Sequence, residues 1–132
     1  MVIDTSALIA ILANEVDAER YEAAIAGDPV RLISAATLLE TSLVIESRLG
    51  EEAGRELDLL LHKARFEVVS VDADQIEIAR DAFRRFGKGR HRAGLNFGDC
   101  FSYAAAMAQG EGLLFKGDDF GRTDVTAVLS GE

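Results

Sequence analysis

The sequence predicts an α/β fold, with a short, mostly parallel sheet of four to five strands covered by helices on both faces. Short apolar runs rich in β-branched residues alternate with longer amphipathic segments along the chain. The length of 132 residues suits a single domain, and a chain of this size buries roughly two-thirds of its unfolded surface. We therefore expect one domain, residues 1–132, with its own hydrophobic core.

The first half of the chain alternates between strand-like and helix-like segments. Val2 and Ile3 form an apolar strand, and the next three residues, Asp-Thr-Ser, are types that begin helices. A turn signal at 27–29 ends one helix, and Gly50 ends another. The expected elements, in order, are a strand at 2–3, helices at 7–13 and 17–26, a strand at 30–34, and helices at 37–49 and 51–64.

The second half continues the alternation. The β-branched run from Phe66 to Val71 predicts a third strand, and an amphipathic helix carrying Ile76, Ala79 and Phe83 follows it. The expected elements are a strand at 66–71, a helix at 72–85, a glycine-rich loop at 87–94, a helix at 97–109, a strand at 113–115 and a fifth strand around Val125. The helix at 97–109 is apolar nearly all round, so we expect it to be central and buried.

The net charge of −9 argues against a generic nucleic-acid-binding protein, because attraction to phosphates requires positive charge. The basic residues are unevenly distributed, however. Five of the fourteen lie within residues 84–92, and no acid lies between Asp81 and Asp99. These five are Arg84, Arg85, Lys88, Arg90 and Arg92. The stretch is therefore a candidate phosphate-binding loop or, alternatively, a solvated surface loop.

Cysteine usage and hydropathy bear on location. Cys100 is the only cysteine, which excludes an internal disulfide and fits a reducing compartment, and we assign it to the core. The longest apolar run, Ala7 to Ala13, is far shorter than the roughly 20 residues needed to cross a bilayer. No basic region precedes it, so we expect no signal peptide, no membrane association and a cytoplasmic location.

Glu40 lies within an apolar arc of its predicted helix. At 100° per residue it falls between Ala36, Leu43 and Val44, beside Leu39. Burying a charge without a partner is costly, so a glutamate at this position requires one. The partner is either a metal ion, an arginine in a salt bridge, or water at the edge of the helix.

The other notable acids fall at strand ends or helix starts. Asp99 occupies the third position of an apolar helix that Asn96 is placed to cap. Asp4 follows the first strand, and the pair Asp118 and Asp119 follows the fourth. Each acid is explicable alone as a helix cap or a polar turn. In a parallel sheet, however, ligands bind at the carboxyl ends of the strands, where such residues meet.

A convergence of these acids would create a site for a hard divalent cation. Two carboxylates ~5 Å apart repel by about 3 kcal/mol at an effective dielectric constant of about 20, and a cation relieves that repulsion. All-oxygen ligands suit Mg²⁺, with Mn²⁺ as a substitute. His62 and His91 show no metal-ligand spacing, which argues against a zinc site.

Four stretches resemble the motifs of the PIN-domain ribonucleases, and in particular those of the VapC-type toxins of bacterial toxin–antitoxin pairs. V-I-D-T-S-A-L, with Asp4, is similar to the first motif, and A-T-L-L-E-T contains the helical glutamate, Glu40. L-N-F-G-D-C is similar to the third motif, with its acid at Asp99. L-L-F-K-G-D-D-F, followed by Thr-Asp-Val at 123–125, resembles the closing motif. The resemblance runs through the whole chain in order.

This resemblance implies a PIN-like three-layer α/β/α fold and a Mg²⁺-dependent endoribonuclease that hydrolyses RNA phosphodiester bonds. Its catalytic and metal-binding residues would be Asp4, Glu40, Asp99 and Asp118, with the adjacent Asp119 as the alternative to Asp118. Its substrate-binding residues would be Thr5, Ser6, Lys88, Arg90 and Arg92. The two hydroxyls would join the metal shell, and the three basic side chains would hold the RNA backbone.

The resemblance also implies protein partners. Members of the family are usually homodimers that a cognate antitoxin silences, often through a basic side chain that reaches the acidic site, in heterotetramers or larger assemblies. The leucine-rich helices at 37–64 are a candidate antitoxin groove, although leucines at such spacings are more often core residues.

Three other functions fit parts of the sequence. A haloacid-dehalogenase-type phosphotransferase would use Asp4 as its nucleophile but needs a second aspartate where Ser6 stands. A receiver domain needs paired acids after the first strand, and Asp4 is the only acid among the first thirteen residues. A catalytically inactive PIN-like module that binds RNA or protein remains as the alternative, and the presence of all the required acids disfavours it.

Overall fold

The computed structural model describes residues 1–129, and its elements follow the predicted α/β order. The strands are β1 (Val2–Ile3), β2 (Leu32–Ser34), β3 (Glu67–Val69) and β4 (Leu113–Leu114). The helices are α1 (Thr5–Leu12), α2 (Ala18–Ala26), α3 (Ala35–Leu49), α4 (Glu51–Lys63), α5 (Ala73–Phe86) and α6 (Phe97–Gln109), followed by a 3₁₀ turn at Phe120–Arg122.

The four strands form a parallel sheet in the order β3-β2-β1-β4. Side chains alternate between the faces even in these short strands. Val2, Leu32 and Leu113 enter one buried cluster, against α5 and α6. Ile3, Ile33 and Leu114 enter the other, which includes residues of α1, α2 and α4. The predicted three-layer α/β/α fold is confirmed.

The predicted fifth strand around Val125 is wrong for the described residues. The segment after the 3₁₀ turn contacts β4 through one isolated parallel bridge, between Leu113 and Ala127. Two backbone hydrogen bonds complete it, from Leu113 N to Thr126 O (2.8 Å) and from Val128 N to Leu113 O (3.0 Å). The contact is a single bridge, so this segment does not extend the sheet by a strand.

Helix boundaries follow the capping chemistry. The first helix begins at Thr5, two residues earlier than predicted, because Asp4 caps it by accepting from the backbone N–H of Ser6. The last helix spans the predicted residues and starts with a full capping box between Asn96 and Asp99. None of the helices in residues 1–129 is long and apolar enough to cross a membrane.

Two helices depart from the pattern expected of buried apolar faces. In α3, Thr37 and Thr41 are buried, whereas Leu39 and Leu43 are each 60% exposed. The composition of α6 predicted a helix that is buried on all sides. The structure differs, because the Phe97 side chain is 81% exposed. Leu57 of α4 is buried, as expected for a core leucine.

Candidate active site

Asp4 lies at the carboxyl end of β1, where its backbone N–H donates to Leu114 O of β4 (2.9 Å). Its side chain is buried and accepts three hydrogen bonds. Oδ1 accepts from the Ser102 hydroxyl (2.5 Å), and Oδ2 accepts from both the backbone N–H (3.0 Å) and the hydroxyl (2.7 Å) of Ser6. Because a carboxylate has about four acceptor positions, Oδ1 keeps room for one further ligand.

Glu40 reaches the same end of the sheet from α3. Its Oε1 accepts from the hydroxyl of Thr5 (2.7 Å), the residue that follows Asp4. The carboxyl group packs against Gly98 in the first turn of α6, where an added Cβ would overlap Oε2 and lie 2.8 Å from Cδ. Within residues 1–129 Glu40 makes no ion pair with an arginine, so its protein partner is a hydroxyl.

Asp99 sits near the start of α6, where its Oδ2 accepts from the backbone N–H of Asn96 (3.0 Å). The pKa of Asp99 is raised to about 6, chiefly by burial, against the opposing effect of that hydrogen bond. The negative charges of Asp4, Asp119 and Glu40 contribute to the same rise. Acids that are far apart in the sequence therefore share one electrostatic environment.

The closing motif places its two adjacent acids differently relative to Asp99. Asp118 and Asp119 are both exposed and follow β4. The charge of Asp119 is among those that raise the pKa of Asp99. The sequence favours Asp118, as the first acid after the strand, whereas this electrostatic effect favours Asp119. The third acid of the region, Asp124, is bound instead by Tyr103 (2.6 Å) and Arg85 (3.1 Å).

The hydroxyls of Thr5 and Ser6 are already engaged with the acids. Thr5 donates to Glu40, and Ser6 donates to Asp4 while its oxygen accepts from the backbone N–H of Lys116 (2.9 Å). In this arrangement the two hydroxyls orient the carboxylates of Glu40 and Asp4, and they are not themselves placed as metal ligands or substrate contacts.

The basic loop between α5 and α6 is ordered by hydrogen bonds to its backbone groups. Lys88 N donates to Leu95 O (2.9 Å), and Arg122 Nη1 of the 3₁₀ turn donates to Arg92 O (3.3 Å). The side chains of Lys88, Arg90 and Arg92 are exposed, with Arg90 lying over the ring of Phe83 (5.7 Å to the centroid). The loop is thus joined to the segment that follows Asp119, and its cationic groups remain accessible.

The acids form a suitable but incomplete donor set for a divalent cation. Within residues 1–129, no group of three His, Cys, Asp or Glu side chains is placed so as to hold a metal ion. Mg²⁺, however, usually keeps several waters and takes only one or two carboxylates directly. The raised pKa of Asp99 marks an electrostatic cost that a cation would relieve. Oxygen-only donors and this excess of negative charge fit Mg²⁺ or Mn²⁺.

Sequence reasoning missed the residues that support the acids. Ser102, Thr37 and Thr41 are buried hydroxyl residues that lie behind the carboxylates, and Gly98 provides space for Glu40. The sequence contains one signal for these supporting residues: two threonines lie one turn apart on a helix whose leucines would be expected to form the buried face. Nothing in the local pattern says that those threonines face inward.

Comparison with known proteins places the chain among nucleases. The family model described as PIN domain matches residues 1–125. A protein named Ribonuclease VapC, from Mycolicibacterium smegmatis, is 66% identical over 128 residues, which cover 97% of this chain and 99% of that protein.

Solved structures agree on the fold. The crystal structure of Mycobacterium tuberculosis VapC20, described as a Sarcin-Ricin loop cleaving toxin, has a TM-score of 0.77 at 24% identity and covers 95% of each chain. A chain of a toxin-antitoxin complex from Klebsiella pneumoniae has a TM-score of 0.70 at 19% identity and covers 98% of each chain.

Proposed function

This chain belongs to the PIN-domain family, as one of its VapC-type ribonuclease toxins, and from that premise we propose that it is a Mg²⁺-dependent endoribonuclease that a cognate antitoxin neutralises. The observation that supports the metal-dependent mechanism is the convergence of three acids: Thr5, next to Asp4, donates to Glu40, and the Glu40 carboxyl packs against Gly98, next to Asp99. Burial and the neighbouring negative charges raise the pKa of Asp99 to about 6, in agreement with that convergence. Acids whose pKa values are shifted by burial and by neighbouring charges are typical of functional sites, and a bound cation would relieve the repulsion among these acids.

The local environment of each acid suggests its part in metal binding. Asp4 and Asp99 would hold Mg²⁺, or Mn²⁺ in its place, because Asp4 Oδ1 keeps an open acceptor position and the environment of Asp99 disfavours its charge without a cation. Glu40 and Asp119 would contribute to the same site, directly or through water. Bound there, the cation would activate water and stabilise the charge that develops on the phosphodiester in the transition state.

The basic loop would bring the RNA backbone to an otherwise repulsive cleft. Lys88, Arg90 and Arg92 are exposed, and a hydrogen bond links the loop to the turn that follows Asp119. Contacts from such side chains to phosphates position an RNA strand without reading its sequence. We therefore assign substrate binding to the loop, and the hydroxyls of Thr5 and Ser6 would support the site by orienting the acids.

We propose a homodimer that forms through the apolar surface around Phe97. Two shallow grooves flank this side chain, one between α5 and α6 and one between α3 and α6. Among the residues that line them, only Arg80 and Glu40 are charged. Two chains of net charge −9 repel each other over most of their surface, so a charge-poor apolar area is where they can approach.

The antitoxin would bind elsewhere on the helical layers. Of the eight leucines in 37–64, four belong to or pack against the core and four are exposed. Leu60, one of the four at the core, also lines a groove with Ile11 and Ile25. Two basic residues, Arg31 and Lys63, and one acid, Glu22, lie at that groove. An amphipathic antitoxin segment with acidic flanks matches this combination of apolar floor and basic residues.

Cleavage of RNA by metal-stripped protein, with and without added Mg²⁺ or Mn²⁺, tests the proposed activity. Wild-type protein should cut at least one of tRNA, rRNA and mRNA only when a divalent ion is present. Asp4→Asn and Asp99→Asn should each lose at least about 100-fold in rate, because each removes a charged ligand. The matched control is Asp58→Asn, an exposed aspartate of α4, which should cleave like wild type.

The same assay distinguishes the alternative of an inactive PIN-like module. Protein that binds all three RNA classes and cuts none of them, at any metal concentration, would favour that alternative. Cleavage that persists in EDTA and survives both aspartate substitutions would rule out the proposed mechanism.

A further inference from the structure

The inward face of α3 carries hydroxyls where a core helix normally carries methyl groups. Thr37 is 1% exposed and Thr41 is fully buried, one turn further along. A hydroxyl that is buried without a hydrogen bond destabilises the fold, whereas valine would fill nearly the same space without that cost. Each of the two buried threonine hydroxyls therefore needs a hydrogen-bond acceptor.

The proton of Thr37 leads to Asp4. Thr37 Oγ1 lies 3.1 Å from Ser102 Oγ, and Ser102 Oγ lies 2.5 Å from Asp4 Oδ1. An ionised carboxylate only accepts hydrogen bonds, so the single hydroxyl proton of Ser102 is donated to Asp4. Ser102 must then accept from Thr37, which fixes the direction of the chain as Thr37 to Ser102 to Asp4.

The hydroxyl of Thr41 connects to Glu40 through Thr5, although it also has a carbonyl acceptor on its own helix. Thr5 Oγ1 donates to Glu40 Oε1 (2.7 Å), which leaves the Thr5 oxygen as an acceptor for Thr41 Oγ1, 2.9 Å away. Thr41 also lies 2.8 Å from the carbonyl oxygen of Thr37, so its proton is shared between two acceptors. If Thr41 donated only to that carbonyl, the oxygens of Thr5 and Thr41 would face each other at 2.9 Å without a proton between them.

We infer that these two hydroxyl relays, Thr37–Ser102–Asp4 and Thr41–Thr5–Glu40, orient the carboxylates for cation binding, and that Thr37 and Thr41 are positioning residues of the site. The inference rests on the proposed function, because it takes Asp4 and Glu40 as parts of a metal site. Both relays start on one face of α3, and they pass through α6 in one case and α1 in the other. Three helices are thereby locked around the acids at buried positions that solvent does not reach.

Such an arrangement affects binding through orientation. Without Thr37 or Thr41, the hydroxyl that donates to the carboxylate, Ser102 or Thr5, loses the partner that fixes its rotamer. The carboxylate can then rotate about its terminal torsion, and the cation meets a distribution of orientations instead of one. Hydrogen-bond partners behind metal ligands typically change metal affinity or activity by about 10–100-fold when they are removed. The relays should therefore be visible in metal affinity and in the metal-free structure, independently of RNA.

The test compares Thr37→Val and Thr41→Val, which remove the hydroxyl at nearly constant volume, with Thr37→Ser and Thr41→Ser, which keep it. Ser42→Ala is the matched control, since Ser42 of α3 donates to Leu38 O (2.9 Å) and belongs to neither relay. Three measurements are made on full-length protein: Mn²⁺ affinity by calorimetry, kcat and KM for RNA, and a crystal structure without metal. Thermal unfolding checks that each variant is folded.

We expect each valine variant to bind Mn²⁺ about 10-fold more weakly and to lose kcat at nearly constant KM, with both properties restored by serine. The metal-free crystals should show the carboxylate of Asp4 in Thr37→Val, and of Glu40 in Thr41→Val, in a changed or divided orientation.

Three outcomes would overturn the inference: wild-type Mn²⁺ affinity in both valine variants, serine variants as impaired as the valine variants, or unchanged carboxylates in the metal-free crystals. The crystal result also separates this inference from the proposed function. A carboxylate that turns in Thr37→Val supports the relay even if wild-type protein cuts no RNA, and a carboxylate that stays fixed contradicts the relay even if wild-type protein is an active nuclease.

Discussion

The carboxyl group of Glu40 rests directly on the backbone of Gly98, a contact between α3 and α6 that no larger residue would permit. A Cβ at Gly98 would overlap Glu40 Oε2 and lie 2.9 Å from Oε1. The glycine is thus required by close approach, with no positive φ angle involved. It sets how near Glu40 comes to the first turn of the helix that carries Asp99.

Gly98→Ala should therefore impair catalysis by displacing Glu40. We expect a fall in cleavage rate of about 10–100-fold, similar to the loss of other supporting contacts in metal sites. A crystal structure of the variant should show the Glu40 side chain turned away from α6. Gly121→Ala is the control, because a Cβ there meets nothing within 4 Å. Equal activity in the two variants would contradict the assigned role of Gly98.

The raised pKa of Asp99 predicts how the stability of metal-free protein varies with pH. Its pKa lies at about 6 in the folded protein, above the ordinary value of 3.8. Between these values the folded chain keeps a proton that the unfolded chain has lost, so stability falls as the pH rises through this window. The full shift corresponds to about 3 kcal/mol, and solvent screening reduces it to about 1–2 kcal/mol.

Asp99→Asn should remove this penalty. In EDTA at pH 7.5 the variant should unfold at a higher temperature than wild type, and below about pH 4 the difference should vanish. Denaturant unfolding across this pH range measures it. A wild-type stability that stays flat, or rises, from pH 4 to pH 6.5 relative to Asp99→Asn would refute the assignment.

The basic loop should govern RNA affinity rather than the chemical step. Replacing Lys88, Arg90 and Arg92 together with alanine should raise KM with little change in kcat, because phosphate contacts act in the ground state and the transition state alike. The slope of log affinity against log salt concentration should shrink by up to about 2. Replacement of Arg48, an exposed residue of α3 outside the loop, should leave both quantities unchanged.

The apolar surface around Phe97 should control oligomeric state. Phe97→Glu places a charge on a side chain that is 81% exposed and lies between two apolar grooves, so the variant should be a monomer where wild type is a dimer. Light scattering after gel filtration measures this. Val16→Glu is the control, since Val16 is exposed on the loop between α1 and α2. Dimers of Phe97→Glu at wild-type strength would place the interface elsewhere.

Tyr103 should contribute to stability without contributing to catalysis. Its buried hydroxyl donates to Asp124 Oδ1 (2.6 Å), and burial raises its pKa to about 12, with the hydrogen bond to Asp124 adding to the rise. Tyr103→Phe should lower the free energy of unfolding by about 1–2 kcal/mol and leave cleavage intact. Tyr21→Phe should cost less, since no hydrogen bond from the Tyr21 hydroxyl is found in residues 1–129. A large loss of kcat in Tyr103→Phe would contradict this separation.

Much of the fold follows from local chemistry. The apolar helix at 97–109 was predicted at its observed bounds, because Asn96 and Gly110 are strong capping residues at its two ends. Strand ends were less certain, as in the predicted strand 66–71, which the structure shortens to Glu67–Val69. Strand length depends on how far the neighbouring strand extends, and the sequence of one strand does not contain that information.

In the candidate site, too, local sequence features identified some residues and only the tertiary structure identified others. Asp4, Glu40 and Asp99 were identified because a strand end, an apolar arc and a helix start are properties of a few consecutive residues. Only the tertiary structure brings Thr37 within 3.1 Å of Ser102, 65 positions away, and couples Asp119 to Asp99.

By itself, then, the sequence determined the order of elements, the positions of the acids and the basic loop, since periodicity, capping and charge act over one or two turns of chain. The tertiary structure decided which hydroxyls support which carboxylates, which face of α3 is buried, and that Phe97 is exposed. Those features depend on contacts between residues far apart in the chain, whose geometry is set by the packing of helices on the sheet.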